Sequence, residues 1–357
     1  MTQQNNLLQS VNVSIGRMQR GSGNTIADVP GVTVGHATLA EGGIQTGVTA
    51  LVPAPGNLFR EKLVAASQVI NGFGKTAGLV QVEELGVLET PIVLTNTLSV
   101  GDAWRGLAEY MLSQDPGIGG AAGTVNPVVC ECNDGFLNDI RAQRVTPAMV
   151  RQAIESAGAG FALGAVGAGR GMSCYQFKGG IGSSSRVLQA GGASYTVGAL
   201  VQSNFGEMRD LAVDGRRTGE AAFKIAPPET LKEQGSCIVI LATDAPMTAR
   251  QLKRLCKRAS VGITRTGSII GNGSGEIAIA FSTAQRIPLR HAGELTLRAV
   301  SDDHANLFFR AVVEAVEEAV LVSMLAAETV RGFQGRCRRS LREFIGKVPG
   351  LPGGEKD

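Results

Sequence analysis

Short segments rich in β-branched and aliphatic residues are the feature of this sequence that most constrains its fold. They predict strands at residues 32–34, 46–52, 92–94, 125–132, 195–202, 237–242 and 277–282. Apolar residues at helical spacing predict helices at residues 60–70, 103–113, 147–157, 248–259 and 303–331. The two kinds of segment do not follow the strict β-α-β alternation of a doubly wound parallel sheet. Their order favours an α+β fold built from packed layers.

The chain has 357 residues, which is enough for one large domain or for two or three ordinary ones. No internal repeat and no low-complexity linker divides it. We therefore predict a single domain over residues 24–347. Residues 1–23 are predicted to form a loose arm, and the segment 348–357, rich in proline and glycine, a flexible tail.

Charge and hydropathy exclude several classes of partner. The formal net charge is only +3, which gives no support for a nucleic-acid or anionic-membrane partner. The polar N-terminus lacks the basic start and apolar core of a secretory signal, and no apolar run approaches the roughly 20 residues that span a bilayer. These features predict a cytoplasmic protein without a membrane segment.

The six cysteines are scattered along the chain, which favours free thiols over a disulfide framework. Cys130 and Cys132 form a Cys-x-Cys pair with no second half and no neighbouring histidine. Such a pair is more typical of small buried side chains than of a zinc site. We therefore predict no metal site.

The usual serine-hydrolase triad finds little support. The three histidines are His36, His291 and His304, and no Gly-x-Ser-x-Gly motif is present. The glycine-rich segment 164–169 does not have the order of glycines that binds dinucleotides. A serine nucleophile in this chain would therefore need a base other than histidine.

The dipeptide Gly235-Ser236 offers such a base. A polar segment ends there and an apolar, β-branched run begins at Ser236. If the chain were cut between the two residues, Ser236 would carry its hydroxyl nucleophile and a free α-amine together. That amine has a reference pKa of about 8, so a useful fraction is neutral at physiological pH. Without other information, a serine at the start of a strand is the favoured interpretation of Ser236.

Residues 267–270 and 276–282 flank an Asn-Gly turn signal and predict a hairpin. In the second strand, Ile277 and Phe281 are expected on one face and Glu276 on the other. Ser274 and Glu276 would then lie on the same side at the strand end and can form a hydroxyl–carboxylate pair. Spacing alone favours a polar turn exposed to water.

Acyl transfer also needs a donor for the developing oxyanion. Asn204 closes a predicted strand and opens a turn, so its amide is the best-placed candidate. Spacing alone favours a turn asparagine that stabilises its own backbone.

Several motifs in the same order resemble the N-terminal-serine aminopeptidases, the family of the L-aminopeptidase/D-amidase-esterases and the β-peptidyl aminopeptidases. The resemblance covers about residues 24–335. Besides the Gly235-Ser236 junction and the segment that follows it, the matching stretches are residues 28–36, 71–75, 131–135, 177–186, 201–206 and 272–283.

The resemblance implies a precursor that cuts itself before Ser236, giving an α chain of residues 1–235 and a β chain of residues 236–357. It implies a four-layer α-β-β-α sandwich, similar in layering to the N-terminal nucleophile hydrolases but with different connectivity. It also implies a homotetramer that needs no cofactor and acts on a small peptide or amide substrate with a free amino group.

The resemblance also implies roles for single residues. Ser236 matches the nucleophile, Ser274 and Glu276 the assisting pair, and Asn204 the oxyanion donor. Glu131 matches an acid that holds the amino group of the substrate.

Two positions depart from the family pattern. Phe136 stands where some members have a tyrosine, which removes a hydroxyl near the predicted substrate pocket, and Cys237 adds a thiol beside the nucleophile. Two other readings stay open: an acyltransferase of the ornithine acetyltransferase type, which shares the sandwich but uses threonine, and an unprocessed relative without enzymatic activity.

Overall fold

A computed structural model describes residues 13–229 and 235–351 of the protein. Its α-helices are α1 (Leu79–Leu85), α2 (Val100–Gln114), α3 (Pro147–Glu155), α4 (Thr218–Ile225), α5 (Ala249–Arg265) and α6 (Ala305–Ala326). Its strands are β1 (Thr33–Glu41), β2 (Ile44–Val52), β3 (Glu61–Gly72), β4 (Val87–Leu88), β5 (Ile92–Asn96), β6 (Val128–Cys132), β7 (Ser173–Cys174), β8 (Phe177–Lys178), β9 (Gly180–Ala190), β10 (Ala193–Asn204), β11 (Ser236–Thr243), β12 (Gly275–Pro288), β13 (Val330–Arg331) and β14 (Cys337–Arg338).

Two larger sheets organise the described part of the chain. One has the strand order β4-β3-β12-β11-β10-β9, and the other has the order β1-β2-β5-β6. Neighbouring strands are antiparallel except β11 with β12 and β5 with β6, which are parallel. Sheets and helices are thus mixed without regular alternation, and the predicted α+β class is confirmed.

Three hydrophobic clusters show which surfaces pack together. The first lies between the six-stranded sheet and helices α5 and α6, and includes Val239, Leu255 and Val316. The second contains side chains from both sheets, such as Leu94 and Ile240. The third packs the four-stranded sheet against helices α2 and α3. Each sheet therefore buries both of its faces.

The helix predicted over residues 60–70 is wrong, because this segment is strand β3. Its residues alternate between two cores: Leu63 and Ala65 belong to the cluster that contains both sheets, and Val64 and Ala66 to the cluster beneath α5 and α6. A strand buried on both faces reads as a continuous apolar run, and such a run does not distinguish a strand from a buried helix.

The hairpin predicted around Asn272-Gly273 is also wrong. Residues 267–270 form no strand, and β12 pairs in parallel with β11 and antiparallel with β3. Ile270 has a positive φ of 55°, which a strand does not accommodate. The alternation expected within β12 is confirmed, since Ile277 and Phe281 face the cluster that contains both sheets.

The six-stranded sheet brings helix α6 very close to strand β9. A Cβ atom on Gly182 would lie 1.9 Å from the backbone oxygen of Ala319 on α6, so only glycine fits there. The serines that follow are buried as well, and Ser184 donates a hydrogen bond of 2.7 Å to the Ala315 carbonyl. The Gly/Ser-rich segment 180–185 is therefore a packing surface.

A buried ionic network joins the same strand to the same helix. Arg186 on β9 is fully buried, and its guanidinium donates to Glu318 at 2.6 Å and to Glu314 at 3.3 Å. The Arg20 side chain adds a second contact to Glu318 at 3.0 Å. The network ties the N-terminal segment to helix α6.

Both ends of the described chain pack onto the domain. Val13 and Ile15 are buried, although they fall within the predicted loose arm, and Val348 and Leu351 are buried within the predicted tail. Apolar contacts with the core hold these residues in place, so residues 13–23 and 348–351 belong to the packed domain. The rest of the predicted arm and tail, residues 1–12 and 352–357, lies outside the described residues.

Candidate active site

Ser236 is the first residue of β11, in the middle of the six-stranded sheet. It pairs in register with Asn204 at the end of β10 and with Gly275 at the start of β12. The Ser236 side chain is buried beside the Cys132 thiol. Among the described residues, no group forms a hydrogen bond with the Ser236 hydroxyl within the usual distance and angle limits. A buried hydroxyl of this kind is uncommon and calls for a functional explanation.

A cavity of about 190 Å³ opens beside Ser236. Its lining residues come from five separate parts of the chain: Phe73, Lys75, Thr97, Glu131, Asn133, Gly235, Ser236 and Gly273. It is smaller than the 300–1,000 Å³ typical of pockets for drug-sized ligands, so it suits a small substrate.

The peptide group before Ser236 is held firmly. The Gly235 carbonyl accepts a hydrogen bond of 3.2 Å from the Gly275 N–H. A Cβ atom on Gly235 would lie 2.6 Å from the Phe205 Cα and 2.7 Å from the Asn204 carbonyl oxygen. Only glycine fits at this position, and the carbonyl already faces a hydrogen-bond donor.

Ser274 and Glu276 form the predicted pair. The Ser274 hydroxyl donates a hydrogen bond to the Glu276 carboxylate, and both side chains are buried. The Asn71 side-chain amide donates to the Ser274 carbonyl and fixes the turn that leads into β12. Because Gly275 lies opposite Ser236, the pair flanks the position of Ser236 on the neighbouring strand.

The Asn204 side chain is oriented by two hydrogen bonds. Its carbonyl oxygen accepts from the Ser173 N–H at 2.8 Å, and its amide donates to the Asn133 carbonyl at 3.0 Å. Because the Ser173 N–H needs an acceptor, the amide atom facing it is the Asn204 oxygen and the other is the nitrogen. A primary amide has two N–H groups, so one remains besides the bond to Asn133.

Glu131 also lines the cavity and lies near the end of β6. It is 3% exposed, and its two oxygens accept hydrogen bonds from the Lys75 backbone N–H at 2.9 Å and from the Thr97 hydroxyl. Two donors thus fix an anion that shares a cavity with Ser236. An acid held in this way can bind a cationic group of a ligand.

Phe136 does not line the cavity. It packs beside Leu137 and Val330 in a small separate cluster, and the Arg338 guanidinium lies 3.5 Å from its ring centroid. The structure therefore does not bring Phe136 together with the other predicted site residues.

Sequence reasoning missed five residues of the cavity wall. Phe73 and Lys75 fall in one stretch that carried the family resemblance, Asn133 in a second and Gly273 in a third, so a signal existed for these four. No sequence motif pointed to Thr97, which reaches the cavity because it directly follows β5.

Burial shifts the pKa of a histidine and of several cysteines. His36 contacts the Thr49 hydroxyl and the Ala162 carbonyl, and burial lowers its pKa to about 4. Burial raises the pKa of the Cys132 and Cys237 thiols well above the usual value. Across residues 13–229 and 235–351 no group of histidine, cysteine or acidic side chains has the arrangement of a metal site. No helix in the same ranges is long and apolar enough to cross a bilayer.

Comparison with known proteins identifies the family. Residues 24–338 match peptidase family S58. The chain is 40% identical over 340 residues to the β-peptidyl aminopeptidase BapA of Sphingosinicella microcystinivorans, a match that covers 88% of this chain and 84% of that one.

Solved structures agree with this match. The PH0078 protein of Pyrococcus horikoshii OT3 superposes with a TM-score of 0.90 at 47% identity, over 94% of this chain and 95% of that chain. The L-aminopeptidase D-Ala-esterase/amidase of Ochrobactrum anthropi gives a TM-score of 0.85 at 36% identity, over 93% and 97% of the two chains. That enzyme is described as a prototype for the serine aminopeptidases and as a variant of the Ntn hydrolase fold. This chain therefore belongs to peptidase family S58, the family of serine aminopeptidases that its sequence motifs resemble.

Proposed function

We propose that the protein is a self-processing serine aminopeptidase and amidase whose nucleophile is Ser236. One observation carries the proposal: the hydroxyl of Ser236 is buried and forms no hydrogen bond within the usual distance and angle limits to the described residues, and Ser236 lines a cavity together with the fixed carboxylate of Glu131. The relatives in family S58 include enzymes named as aminopeptidases, which supports the same activity here.

Self-cleavage would begin with attack of the Ser236 hydroxyl oxygen on the Gly235 carbonyl carbon. The Gly275 N–H, which already donates to that carbonyl, would stabilise the negative charge that develops on its oxygen. The C–N bond then breaks, the nitrogen takes a proton, and an ester joins Gly235 to the Ser236 oxygen. Water hydrolyses the ester, leaving a carboxylate on Gly235 and a free α-amine on Ser236.

Replacing Gly235 by alanine is expected to slow self-cleavage. The added Cβ would meet backbone atoms of Phe205 and Asn204, so the scissile carbonyl must move away from the Gly275 N–H. The fraction of cleaved protein, followed on denaturing gels after synthesis, measures the effect.

Gly160→Ala is the matched control for that experiment, since a Cβ at Gly160 has no neighbour within 4 Å. We expect Gly160→Ala to process like the wild type and Gly235→Ala to accumulate precursor. Equal processing in both variants would mean that the close packing at Gly235 does not position the carbonyl.

After cleavage, the Ser236 hydroxyl would attack the carbonyl carbon of a substrate amide. The new α-amine is the base available to take the hydroxyl proton, and the Ser274–Glu276 pair flanks this position and would help to orient or relay that proton. The second N–H of the Asn204 amide would donate to the oxyanion. The leaving amine takes the proton, and water then hydrolyses the acyl-enzyme.

Glu131 would hold the free amino group of the substrate. Its carboxylate is fixed by Lys75 and Thr97 and shares the cavity with Ser236. An ammonium bound there would place the first residue of a peptide next to the nucleophile, which is the selection that an aminopeptidase makes. A role of Phe136 in substrate binding stays a prediction.

Glu131→Gln is expected to lower kcat/KM by about 30-fold or more, since removing one charge of a buried ion pair typically costs 2–5 kcal/mol. Self-cleavage should persist, because the precursor presents its own carbonyl without needing an amino group. Steady-state hydrolysis of an amino-acid amide measures the first effect, and the two-chain pattern on a gel measures the second. A variant that hydrolyses the amide at the wild-type rate would exclude Glu131 as the amine-binding acid.

Further features implied by the family are part of the proposal. We propose that the layers stack as an α-β-β-α sandwich, which the three hydrophobic clusters support. The processed protein is proposed to assemble as a homotetramer of αβ units in the cytoplasm and to work without a cofactor. Analytical ultracentrifugation measures the assembly.

A further inference from the structure

The residues that line the cavity beside Ser236 include a lysine as well as an acid. Lys75 is one of the lining residues, and its backbone N–H donates to Glu131. The Lys75 ammonium lies 4.6 Å from the centroid of the Phe73 ring. Phe73 is 62% exposed, so this contact lies at the rim of the cavity.

The two charges do not neutralise each other. No carboxylate of the described residues lies within 4 Å of the Lys75 ammonium, and the Glu131 carboxylate is instead held by neutral donors. A ligand with a positive and a negative end can therefore meet one partner at each end.

We propose that Lys75 is a specificity-determining residue that binds the C-terminal carboxylate of a free dipeptide, the substrate class we assign to this cavity. The assignment rests on the proposed aminopeptidase function. A dipeptide carries an ammonium and a carboxylate on either side of a single peptide bond, and the residues that line the cavity include Glu131, Lys75 and Ser236. Amides lack the carboxylate, and longer peptides place it farther from the scissile bond.

The chemistry of lysine suits this role. Its flexible four-carbon stem lets the ammonium follow carboxylates at somewhat different distances, so dipeptides with backbones of different length can be accommodated. The contact with the Phe73 ring is a cation–π interaction, which holds the ammonium at the rim when no carboxylate is present.

The test compares the processed enzyme with its Lys75→Met variant on two dipeptides, L-alanyl-L-alanine and β-alanyl-L-alanine. Each dipeptide is assayed beside its C-terminal amide. The readout is the ratio of kcat/KM for the dipeptide to kcat/KM for the amide. We expect this ratio to fall about fivefold in Lys75→Met, because an ion pair at the exposed rim of the cavity contributes little binding energy. The decrease should be smaller at high salt, which screens exposed charges.

Two further variants sharpen the test. Lys75→Arg keeps the charge and should retain most of the ratio, whereas Lys257→Met removes an exposed lysine on helix α5 and should leave the ratio unchanged. An unchanged ratio in Lys75→Met, or equal losses on dipeptide and amide, would overturn the assignment while leaving the aminopeptidase function intact. A wild-type enzyme that hydrolyses neither kind of substrate would overturn both.

Discussion

Ser236→Ala is expected to remain a single full-length chain and to lose hydrolysis of peptides and amides by at least about 10⁴-fold, the scale seen when a serine nucleophile is removed. Both effects have one cause, because the same hydroxyl would cut the precursor and attack the substrate. The alanine side chain fits the buried position and removes only an oxygen that has no ordinary hydrogen-bond partner among the described residues. The variant should therefore fold with nearly unchanged stability.

Ser203→Ala is the matched control for that variant. Ser203 is also buried, on the adjacent strand β10, but its hydroxyl is bonded to the Ser323 hydroxyl at 2.6 Å and accepts from the Gly180 N–H at 3.3 Å. We expect this variant to lose about 1–3 kcal/mol of stability, because buried hydrogen-bonding groups lose their partner, and to process normally. A Ser236→Ala protein that still splits after residue 235 would exclude Ser236 as the processing nucleophile.

The largest expected loss of stability comes from Arg186→Ala. The change would leave the carboxylates of Glu314 and Glu318 without the guanidinium that both of them contact. Breaking a buried ion pair by removing one partner costs about 3–5 kcal/mol. Because the network joins strand β9 to helix α6, we expect a lower urea midpoint and less soluble protein.

Arg310→Ala provides the comparison. Arg310 approaches the same Glu314 at 4.0 Å, but its side chain is half exposed, so its loss should cost no more than about 1 kcal/mol. Urea unfolding of both variants, made in the uncleaved Ser236→Ala background, measures the difference on a single chain. Equal midpoints would show that burial of the Arg186 network does not contribute to stability.

Much of the site was predictable because its residues lie at the ends of strongly patterned strands. The abrupt change at Ser236 marks the start of β11, and the two-residue spacing of Ser274 and Glu276 puts both side chains on one side, as their hydrogen bond confirms. The family match of these motifs is likewise confirmed by the comparisons.

The errors have physical causes. β3 was predicted as a helix because both of its faces are buried, which removes the polar residues that would reveal a period of two. Asn272-Gly273 predicted a hairpin because a turn signal depends only on neighbouring residues. The strands that pair with β12 are β11 and β3, and even β11 ends more than thirty residues before β12 begins.

The cavity wall shows the same limit. Lys75 follows β3 of the six-stranded sheet and reaches Glu131 on β6 of the four-stranded sheet, so this contact depends on how the two sheets meet. Thr97 reaches Glu131 because β5 pairs with β6. No spacing along the sequence encodes either arrangement. Phe136 is five residues from Glu131 and packs against Arg338, and it is not among the residues that line the cavity. Its role in substrate binding stays a prediction.

Intact mass spectrometry of the purified, denatured wild-type protein tests self-processing at Ser236 most directly. Self-processing predicts two chains, one ending at Gly235 and the other starting at Ser236 with a free amine. A single chain with the mass of residues 1–357 after prolonged incubation, or a cut at any other bond, would contradict it.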